Sequence, residues 1–146
     1  MRVLLDTNIF ISYLLPSGHE GPIQAIVEAA VEGAFVLLLP AELAKEFSRK
    51  VATKKYLARR ILPREASELM GILAQVAEVI PEIPETIPRA TRDEKDDYLL
   101  AHALLAKADF LVTGDEDLLV LGVVDGVKIV SPSKFLRVLQ AGAPAD

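Results

Sequence analysis

The sequence predicts a single α/β domain with three layers, α/β/α, built around a mainly parallel sheet of four to five strands. The length of 146 residues suits one domain. Because 51% of the residues are hydrophobic and only 25% are charged, the chain can bury a core. Short runs that are apolar throughout alternate with longer stretches of helical period, which is the pattern of β-α-β units with both sheet faces covered.

The individual elements follow from hydrophobic period and from helix-ending residues. Strands are expected at 2–6, 34–39, 78–80, 109–113 and 127–130. Helices are expected at 8–15, 20–32, from Pro40 onward, 53–62, 63–76, 96–107 and 132–139, with Gly33 just past the second of them. The prolines of PEIPETIPRA (81–90) predict a loop, and TGDED (113–117) predicts an acidic turn. We expect residues 1–140 to form the domain and 141–146 a disordered tail.

The composition excludes several kinds of site. No cysteine is present, which removes disulfides, a thiolate nucleophile and Cys-ligated metals. Two histidines, His19 and His102, are too few for a His-rich metal site. No run reaches eighteen apolar residues, and the N-terminal apolar run ends at Asp6, too early for a signal peptide. We therefore expect a soluble cytoplasmic protein with no membrane partner.

Positive charge is concentrated in residues 45–64 of an otherwise acidic chain. The net charge is −5, yet this segment holds eight of the sixteen basic residues and a single acid, Glu46. Such a segment favours contact with a polyanion, although a solvated helix face is the alternative. The candidates for nucleic-acid binding are Arg49, Lys50, Lys54, Lys55, Arg59 and Arg60.

Acidic side chains fall at or near the carboxyl ends of the predicted strands, where ligands bind in parallel α/β sheets. They are Asp6, Glu46, a group at 93–97 that includes Asp96 and Asp97, and the pair Asp115 and Asp117. Each has a structural explanation when taken alone: a helix cap, an ion pair with Arg49 or Lys50, or a favourable charge at a helix start. These explanations do not account for their convergence on one sheet edge.

Convergent carboxylates indicate a metal site. Carboxylates held close together repel one another and resist ionisation unless a cation joins them. Hard oxygen ligands of this kind suit Mg²⁺ or Mn²⁺, completed by water and substrate phosphate. Because such an ion activates water and orients a phosphodiester, the residues point to phosphodiester hydrolysis.

Four motifs, in this order, resemble the PIN domain family: LLDTNIFISYLL, the Glu of ELAKEF, RDEKDDYLLAHALLAKADFLVTGDEDLLVL, and IVSPSKFL. The resemblance runs from residue 1 to about 139. It is closest to the VapC-like ribonucleases, the toxin components of bacterial and archaeal toxin–antitoxin systems. It implies a parallel sheet, an acidic pocket, Mg²⁺- or Mn²⁺-dependent cleavage of RNA, dimerisation and inhibition by a cognate antitoxin.

The resemblance also implies roles for individual residues. The catalytic acids would be Asp6, Glu46, Asp96 and Asp115, and the metal ligands Asp6, Asp96 and Asp115 with Asp117 as an auxiliary. Asp96 is preferred to Asp97 because it precedes Ala103 by seven residues, the spacing of the family. Thr7, Asn8 and Thr113 would orient the carboxylates by hydrogen bonds.

Two features depart from the family pattern. Leu39-Pro40 replaces the Ser often found before the helix of the second acid, and Glu42 competes with Glu46 for that role. Other acidic α/β folds fit less well. A haloacid-dehalogenase-like phosphatase needs an Asp where Asn8 stands, and a receiver domain needs a Lys after a late strand, whereas Lys128 lies inside one.

The sequence therefore predicts a PIN-like endoribonuclease in which carboxylates bind Mg²⁺ or Mn²⁺ and the basic segment follows the RNA backbone. The predicted partners are RNA, a cognate antitoxin and a second copy of the chain. The alternative is a catalytically silent PIN-fold module that binds nucleic acid or acts as a scaffold.

Overall fold

The computed structural model describes residues 1–15, 21–83 and 94–142, with backbone alone at residues 94–96. Its strands are β1 (Arg2–Leu5), β2 (Val36–Pro40), β3 (Glu78–Ile80), β4 (Phe110–Val112), β5 (Val123–Val124) and β6 (Val127–Val130). Its helices are α1 (Thr7–Leu14), α2 (Pro22–Val31), α3 (Ala41–Thr53), α4 (Lys55–Ala58), α5 (Pro63–Val76), α6 (Glu94–Leu105), α7 (Glu116–Leu119) and α8 (Pro132–Ala141).

The strands form one sheet in the order β3-β2-β1-β4-β6-β5. Every neighbouring pair is parallel except β5 with β6, so the prediction of a mainly parallel sheet is confirmed. From β1 the chain moves outward to β2 and β3, then returns to place β4 on the other side of β1. The strand order therefore reverses between β1 and β4, where open α/β sheets form a crevice.

Helices cover both faces of this sheet. The helices α1, α2, α3, α5 and α8 contact one another in one connected layer, whereas α6 contacts β4. Crossovers between parallel strands are right-handed. The chain crosses the sheet in one direction from β1 to β3 and in the opposite direction from β3 to β4. The helix α6 of the return crossover therefore lies on the opposite face of the sheet. The expected three-layer α/β/α arrangement follows.

One hydrophobic cluster forms the core. In the central strands, Val3–Leu5 of β1 and all three residues of β4 are apolar and buried, and both Leu4 and Leu111 are at most 1% exposed. The ring of Phe135 in α8 lies 5.4 Å from the rings of both Phe35 and Phe110, which ties the closing helix to the sheet. This core leaves the carboxyl ends of β1 and β4 as a fixed edge for the side chains that follow them.

A sixth strand exceeds the predicted four to five. Strand β5 pairs antiparallel with β6 through a two-residue turn at Asp125 and Gly126, whose φ angles are +47° and +86°. An Asp-Gly pair with two positive φ angles is the preferred tight hairpin connection. The reversal adds a two-residue strand at the sheet edge without changing the parallel core.

Several element boundaries differ from the predictions. Pro40 ends β2 and occupies the position just before α3, so the helix itself begins at Ala41. The helix predicted at 53–62 is reduced to α4, and the predicted acidic turn contains the short helix α7. Gly33 follows α2 with a φ of +79°, as expected for the residue past a helix end.

The ends of the predicted loop and tail lie outside the described residues. Residues 81–83 carry no regular structure, and 84–90 of the predicted loop are not described. Helix α8 runs through Ala141, one residue into the segment predicted as a tail, and 143–146 are not described. In the described part of the chain, no helix is long and apolar enough to cross a membrane.

Candidate active site

The candidate site lies where β1 and β4 end side by side. The backbone N–H of Asp6 donates to the carbonyl of Val112 at 3.0 Å, which holds the residue after β1 against the last residue of β4. Thr113 continues from β4, and its N–H donates to the carbonyl of Val130 at 3.0 Å. Parallel pairing thus places Asp6 and Thr113 next to one another, although 107 residues separate them.

Asp6 has two roles at this edge. Its Oδ1 accepts a hydrogen bond from the backbone N–H of Asn8 at 3.3 Å, so it caps α1 as its position before a helix predicts. Its Oδ2 accepts from the hydroxyl of Thr113 at 2.7 Å, and Thr113 is fully buried. The cap therefore uses one carboxylate oxygen, and the second is oriented by a side chain from a different strand.

Asp115 is joined to Asp6 through the same hydroxyl. The Oγ1 of Thr113 accepts from the backbone N–H of Asp115 at 3.1 Å while it donates to Asp6. The carboxylate of Asp115 in turn caps α7 by accepting from the N–H of Asp117 at 2.9 Å. One threonine thus links the two loops that carry these acids.

Burial and local charge act on Asp6 in opposite directions. Burial raises the pKa of Asp6 above its ordinary value, because a charged carboxylate loses hydration there, and the nearby Glu46 raises it further. The hydrogen bonds from Thr113 and from the Asn8 backbone, together with the charge of Lys50, lower that pKa in part. Since burial prevails, a cation beside Asp6 would stabilise its ionised form.

Glu46 and Lys50 form an ion pair in the same region. Lys50 Nζ lies 3.3 Å from Glu46 Oε1 at i,i+4 spacing on α3. This is the ion pair that the sequence offers as the structural explanation for Glu46. Both side chains are partly buried, and both line the pocket described next.

These residues share one pocket of about 570 Å³. The wall is formed by the residues after β1, by the β2–α3 region, by α6 and by the loop after β4. These residues are Asp6, Thr7, Asn8, Pro40, Glu42, Leu43, Lys45, Glu46, Arg49, Lys50, Tyr98, Leu99, His102 and Asp115. The lining thus combines four carboxylates with three basic side chains. Such a mixture suits a ligand that carries both phosphate and a bound cation.

A second carboxyl pair lies at the edge of this wall. A side-chain hydrogen bond with Glu82 raises the pKa of Glu42, since the two carboxyl groups are most stable when they share a proton. Tyr98 donates its hydroxyl to the carbonyl of Ile83 at 3.4 Å, and burial raises the pKa of that phenol. Glu42, the competitor for the role of Glu46, therefore lines the pocket with a different partner.

His102 is a pocket residue that the sequence arguments did not select. It is 2% exposed, its Nδ1 lies 2.8 Å from the carbonyl of Tyr98, and the two rings are 5.2 Å apart. Its Nε2 has no hydrogen-bond partner among the described residues. Helical spacing could have found it, because positions 98 and 102 lie on the side of α6 away from the core residues Leu100 and Ala103.

The other predicted site residues divide into three groups. Thr7 and Asn8 line the pocket, and Asn8 contacts Asp6 through its backbone N–H. Arg49 and Lys50 line it as well, whereas the remaining basic candidates Lys54, Lys55, Arg59 and Arg60 are exposed beyond it. Asp117, the predicted auxiliary ligand, is not among the residues that line the pocket, and its backbone N–H donates to Asp115 in the first turn of α7.

Two neighbouring residues on α6, Asp96 and Asp97, are the candidates for the third acid of the site. The side chain of Asp96 lies outside the described residues. Asp97 is 3% exposed and does not line the pocket, whereas Tyr98, Leu99 and His102 of the same helix do. The described neighbour of the predicted acid is thus a buried residue next to the pocket-lining turn of α6.

The chemistry of the donors fits a hard divalent cation. Carboxylate oxygens of Asp6, Glu46 and Asp115 share one pocket, and the burial of Asp6 favours a positive charge beside it. Within the described side chains, which do not include Asp96, no cluster of three or more Asp, Glu or His residues could hold a metal ion. Asp6 and Asp115 can thus supply part of a ligand set.

Comparison with known proteins identifies the family of the chain. A family model described as a PIN domain matches residues 2–117. No curated protein matches the chain. The matched range covers most of the chain and contains every acid of the pocket wall, from Asp6 to Asp115. The chain therefore belongs to the PIN domain family, whose members are generally nucleases.

Proposed function

We propose that this PIN domain is a metal-dependent endoribonuclease that hydrolyses the phosphodiester bonds of RNA. The observation that supports this most strongly is the hydroxyl of Thr113, which links the Asp6 and Asp115 loops where the strand order reverses. Helix capping accounts for one oxygen of each acid. It does not require the shared hydroxyl or the position of both caps in one pocket.

Mg²⁺ or Mn²⁺ is the cofactor that we propose, with Asp6, Asp96 and Asp115 as its ligands. When bound, the ion activates a water molecule and stabilises negative charge on the phosphate. We assign Asp6 and Asp115 as ligands because they line the pocket, and Asp96 because of its position in the sequence motif. Asp117 is omitted because it lies outside the pocket wall.

The other pocket residues would handle the proton and the phosphate. Glu46 would accept a proton from the attacking water, and its ion pair with Lys50 holds the carboxylate in position. Arg49 and Lys45 also line the pocket, where their charges would bind non-bridging phosphate oxygens. The leaving oxygen would take up its proton from solvent, since the pocket is open at its mouth.

The biological role that we propose is that of a toxin. The sequence motifs most resemble the VapC-like branch, in which a cognate antitoxin holds the ribonuclease inactive and the toxin forms a homodimer. We extend both partners to this chain, together with a cytoplasmic location. An antitoxin would be identified by its ability to block RNA cleavage by the purified protein.

Cleavage of single-stranded RNA, measured with Mn²⁺ and with excess chelator, tests the enzymatic proposal. We expect cleavage with Mn²⁺, none with chelator, and loss of activity in Asp6→Asn. Asp125→Asn is the matched control, because it makes the same chemical change in the exposed β5–β6 turn, where Asn also tolerates a positive φ. Cleavage that survives chelation would contradict the metal dependence.

The silent-module alternative predicts a different pattern. In that case Asp6 and Asp115 serve only as helix caps and the Glu46–Lys50 pair only stabilises α3. RNA would then bind without being cut under any metal condition. That result would replace the enzymatic proposal with a nucleic-acid-binding one.

A further inference from the structure

Tyr56 is an aromatic side chain that the structure leaves in solvent. The chain has eight aromatic residues, all of which lie in its described parts, and Tyr56 is the only one classed as exposed. Its exposed fraction is 61%. A ring of this size gains free energy when a ligand covers it, so Tyr56 offers an accessible face for stacking.

The helix that carries Tyr56 is held in place by its neighbours. Leu57 and Ile61 are each 1% exposed, and the N–H of Ile61 donates to the carbonyl of Leu57 at 2.8 Å. Successive residues of a helix point about 100° apart, so burial of Leu57 turns Tyr56 outward. The ring therefore stands on a short helix whose orientation is fixed by the core.

Exposed cations flank the ring on both sides. Lys54 and Lys55 precede Tyr56, and Arg59 and Arg60 follow it; all four are exposed. Of the salt bridges between described residues, none involves these four side chains. No acid occurs anywhere from Phe47 to Arg64, so their charges have no local counterpart along the chain.

This surface is continuous with the candidate active site. Lys54 lies between α3 and α4 as the cap residue of both, and its N–H donates to the carbonyl of Lys50, whose side chain lines the pocket. Thr53 is seven positions after Glu46 on α3, a rise of about 10 Å along the helix axis. A polyanion leaving the pocket along α3 would reach α4 within a few nucleotides.

We infer that α4 is a base-stacking subsite for single-stranded RNA, in which Tyr56 stacks on a nucleobase and the four flanking cations contact phosphates. The inference rests on the proposed function, which supplies RNA as the polyanion. Aromatic rings combined with basic side chains bind single strands because every unpaired base offers a π-face. Bases within a duplex are already stacked, so the subsite selects single strands.

Binding of a labelled single-stranded oligoribonucleotide to Asp6→Asn protein tests this without interference from cleavage. In that background, Tyr56→Leu should raise Kd by roughly 5- to 150-fold, the equivalent of about 1–3 kcal/mol for one stacked base. Tyr56→Phe should bind like the parent, since stacking needs the ring and not the hydroxyl. Leu62→Ala, which trims another exposed apolar side chain nearby, should also leave Kd unchanged.

Salt dependence separates stacking from charge. Tyr56→Leu should leave the slope of log K against log salt unchanged, because the ring contacts no phosphate. Lys55→Gln should reduce that slope by roughly 0.7, the contribution of one phosphate contact on a single strand. An oligomer with abasic sugars should bind wild-type and Tyr56→Leu surfaces equally.

Two results would overturn the subsite: equal Kd for the parent and Tyr56→Leu, or equal losses for Tyr56→Phe and Tyr56→Leu. Failure of the nuclease proposal would look different. In that case no RNA would be cut, yet binding would still depend on Tyr56. Cleavage with Mn²⁺ by wild type and Tyr56→Leu at equal rates, with equal Kd values, would reject the subsite alone.

Discussion

The hydroxyl of Thr113 donates to Oδ2 of Asp6 at 2.7 Å and joins the ends of β4 and β1. Because the same oxygen accepts from the N–H of Asp115, Thr113 orients both acids that we assign to metal binding. Thr113 is fully buried, so water cannot replace it without a structural change. This one residue therefore couples the stability of the sheet edge to the geometry of the site.

Replacing Thr113 by Val should damage both stability and activity. Val keeps the shape of the side chain but leaves the partly buried N–H of Asp115 and Oδ2 of Asp6 without this partner, at a cost of about 1–3 kcal/mol in the free energy of unfolding. RNA cleavage should fall further than stability explains, since both acids lose their orientation. Denaturant unfolding and cleavage rates at a temperature where the variant is folded measure the two effects.

Thr113→Ser and Thr53→Val provide the controls for this substitution. Ser retains the hydroxyl and should recover most of the activity. Thr53 likewise donates a hydrogen bond through its hydroxyl, in this case to the backbone carbonyl of Arg49. Thr53 lies on an exposed helix surface, so Thr53→Val should change little. A Thr113→Val variant with wild-type cleavage would show that the hydroxyl does not orient the acids.

Asp6 should make stability depend on pH in the opposite sense to an ordinary ion-paired Asp. Burial raises its pKa in the folded protein above the ordinary 3.8, so the folded state holds the proton more tightly than the unfolded state. The associated stability is complete below pH 3.8 and is lost as the pH rises through the folded-state pKa. Without metal, Asp6→Asn should therefore be more stable than wild type at neutral pH.

This advantage of Asp6→Asn should shrink as the pH is lowered towards 3.8, where wild-type Asp6 also becomes neutral. Asn is itself a good helix cap, so the bond to the N–H of Asn8 is retained. Denaturant unfolding across this pH range measures the difference, with Asp125→Asn as the exposed comparison. A stability difference that is the same at every pH would mean that burial of the Asp6 charge is not its cause.

Two neighbouring acids on α6 should respond differently to neutralisation. Asp96→Asn should abolish RNA cleavage, because the sequence motif places the third acid there. Asp97 is buried outside the pocket wall, so Asp97→Asn should lower thermal stability while much of the cleavage rate remains. Cleavage rates normalised to the folded fraction compare them, and a greater loss in Asp97→Asn would shift the third acid by one position.

Much of the fold can be predicted from the sequence because buried parallel strands are apolar throughout. The bounds of α5, β3 and β6 agree with those predicted, since prolines and short apolar runs mark them. The two-residue strand β5 is too short to show a period, and Asp125-Gly126 was its available signal. Strand order, which brings Asp6 beside Thr113, depends on long-range packing that a local pattern does not record.

Part of the candidate site can be predicted from the sequence, because the predicted strands show which acids lie near strand ends. Asp6 follows β1 directly and Asp115 comes three residues after the end of β4, so the rule for strand ends places both at one edge. Asp117 follows in sequence but sits on α7, a helix that the acidic pattern did not predict. His102 lines the pocket beside Tyr98, four residues earlier on α6, and this helical spacing is a signal that the sequence arguments did not use.

The response of thermal stability to Mg²⁺ tests most directly whether Asp6 belongs to a metal site. A ligand that binds only the folded state stabilises it by RT ln(1 + [L]/Kd), about 2.7 kcal/mol at a hundredfold excess over Kd. Melting curves of wild type and Asp6→Asn, each with chelator and with Mg²⁺, make the comparison. We predict that Mg²⁺ raises the Tm of wild type and raises that of Asp6→Asn much less. Equal Mg²⁺ responses, together with a lower Tm of Asp6→Asn in chelator, would show that Asp6 is only a helix cap.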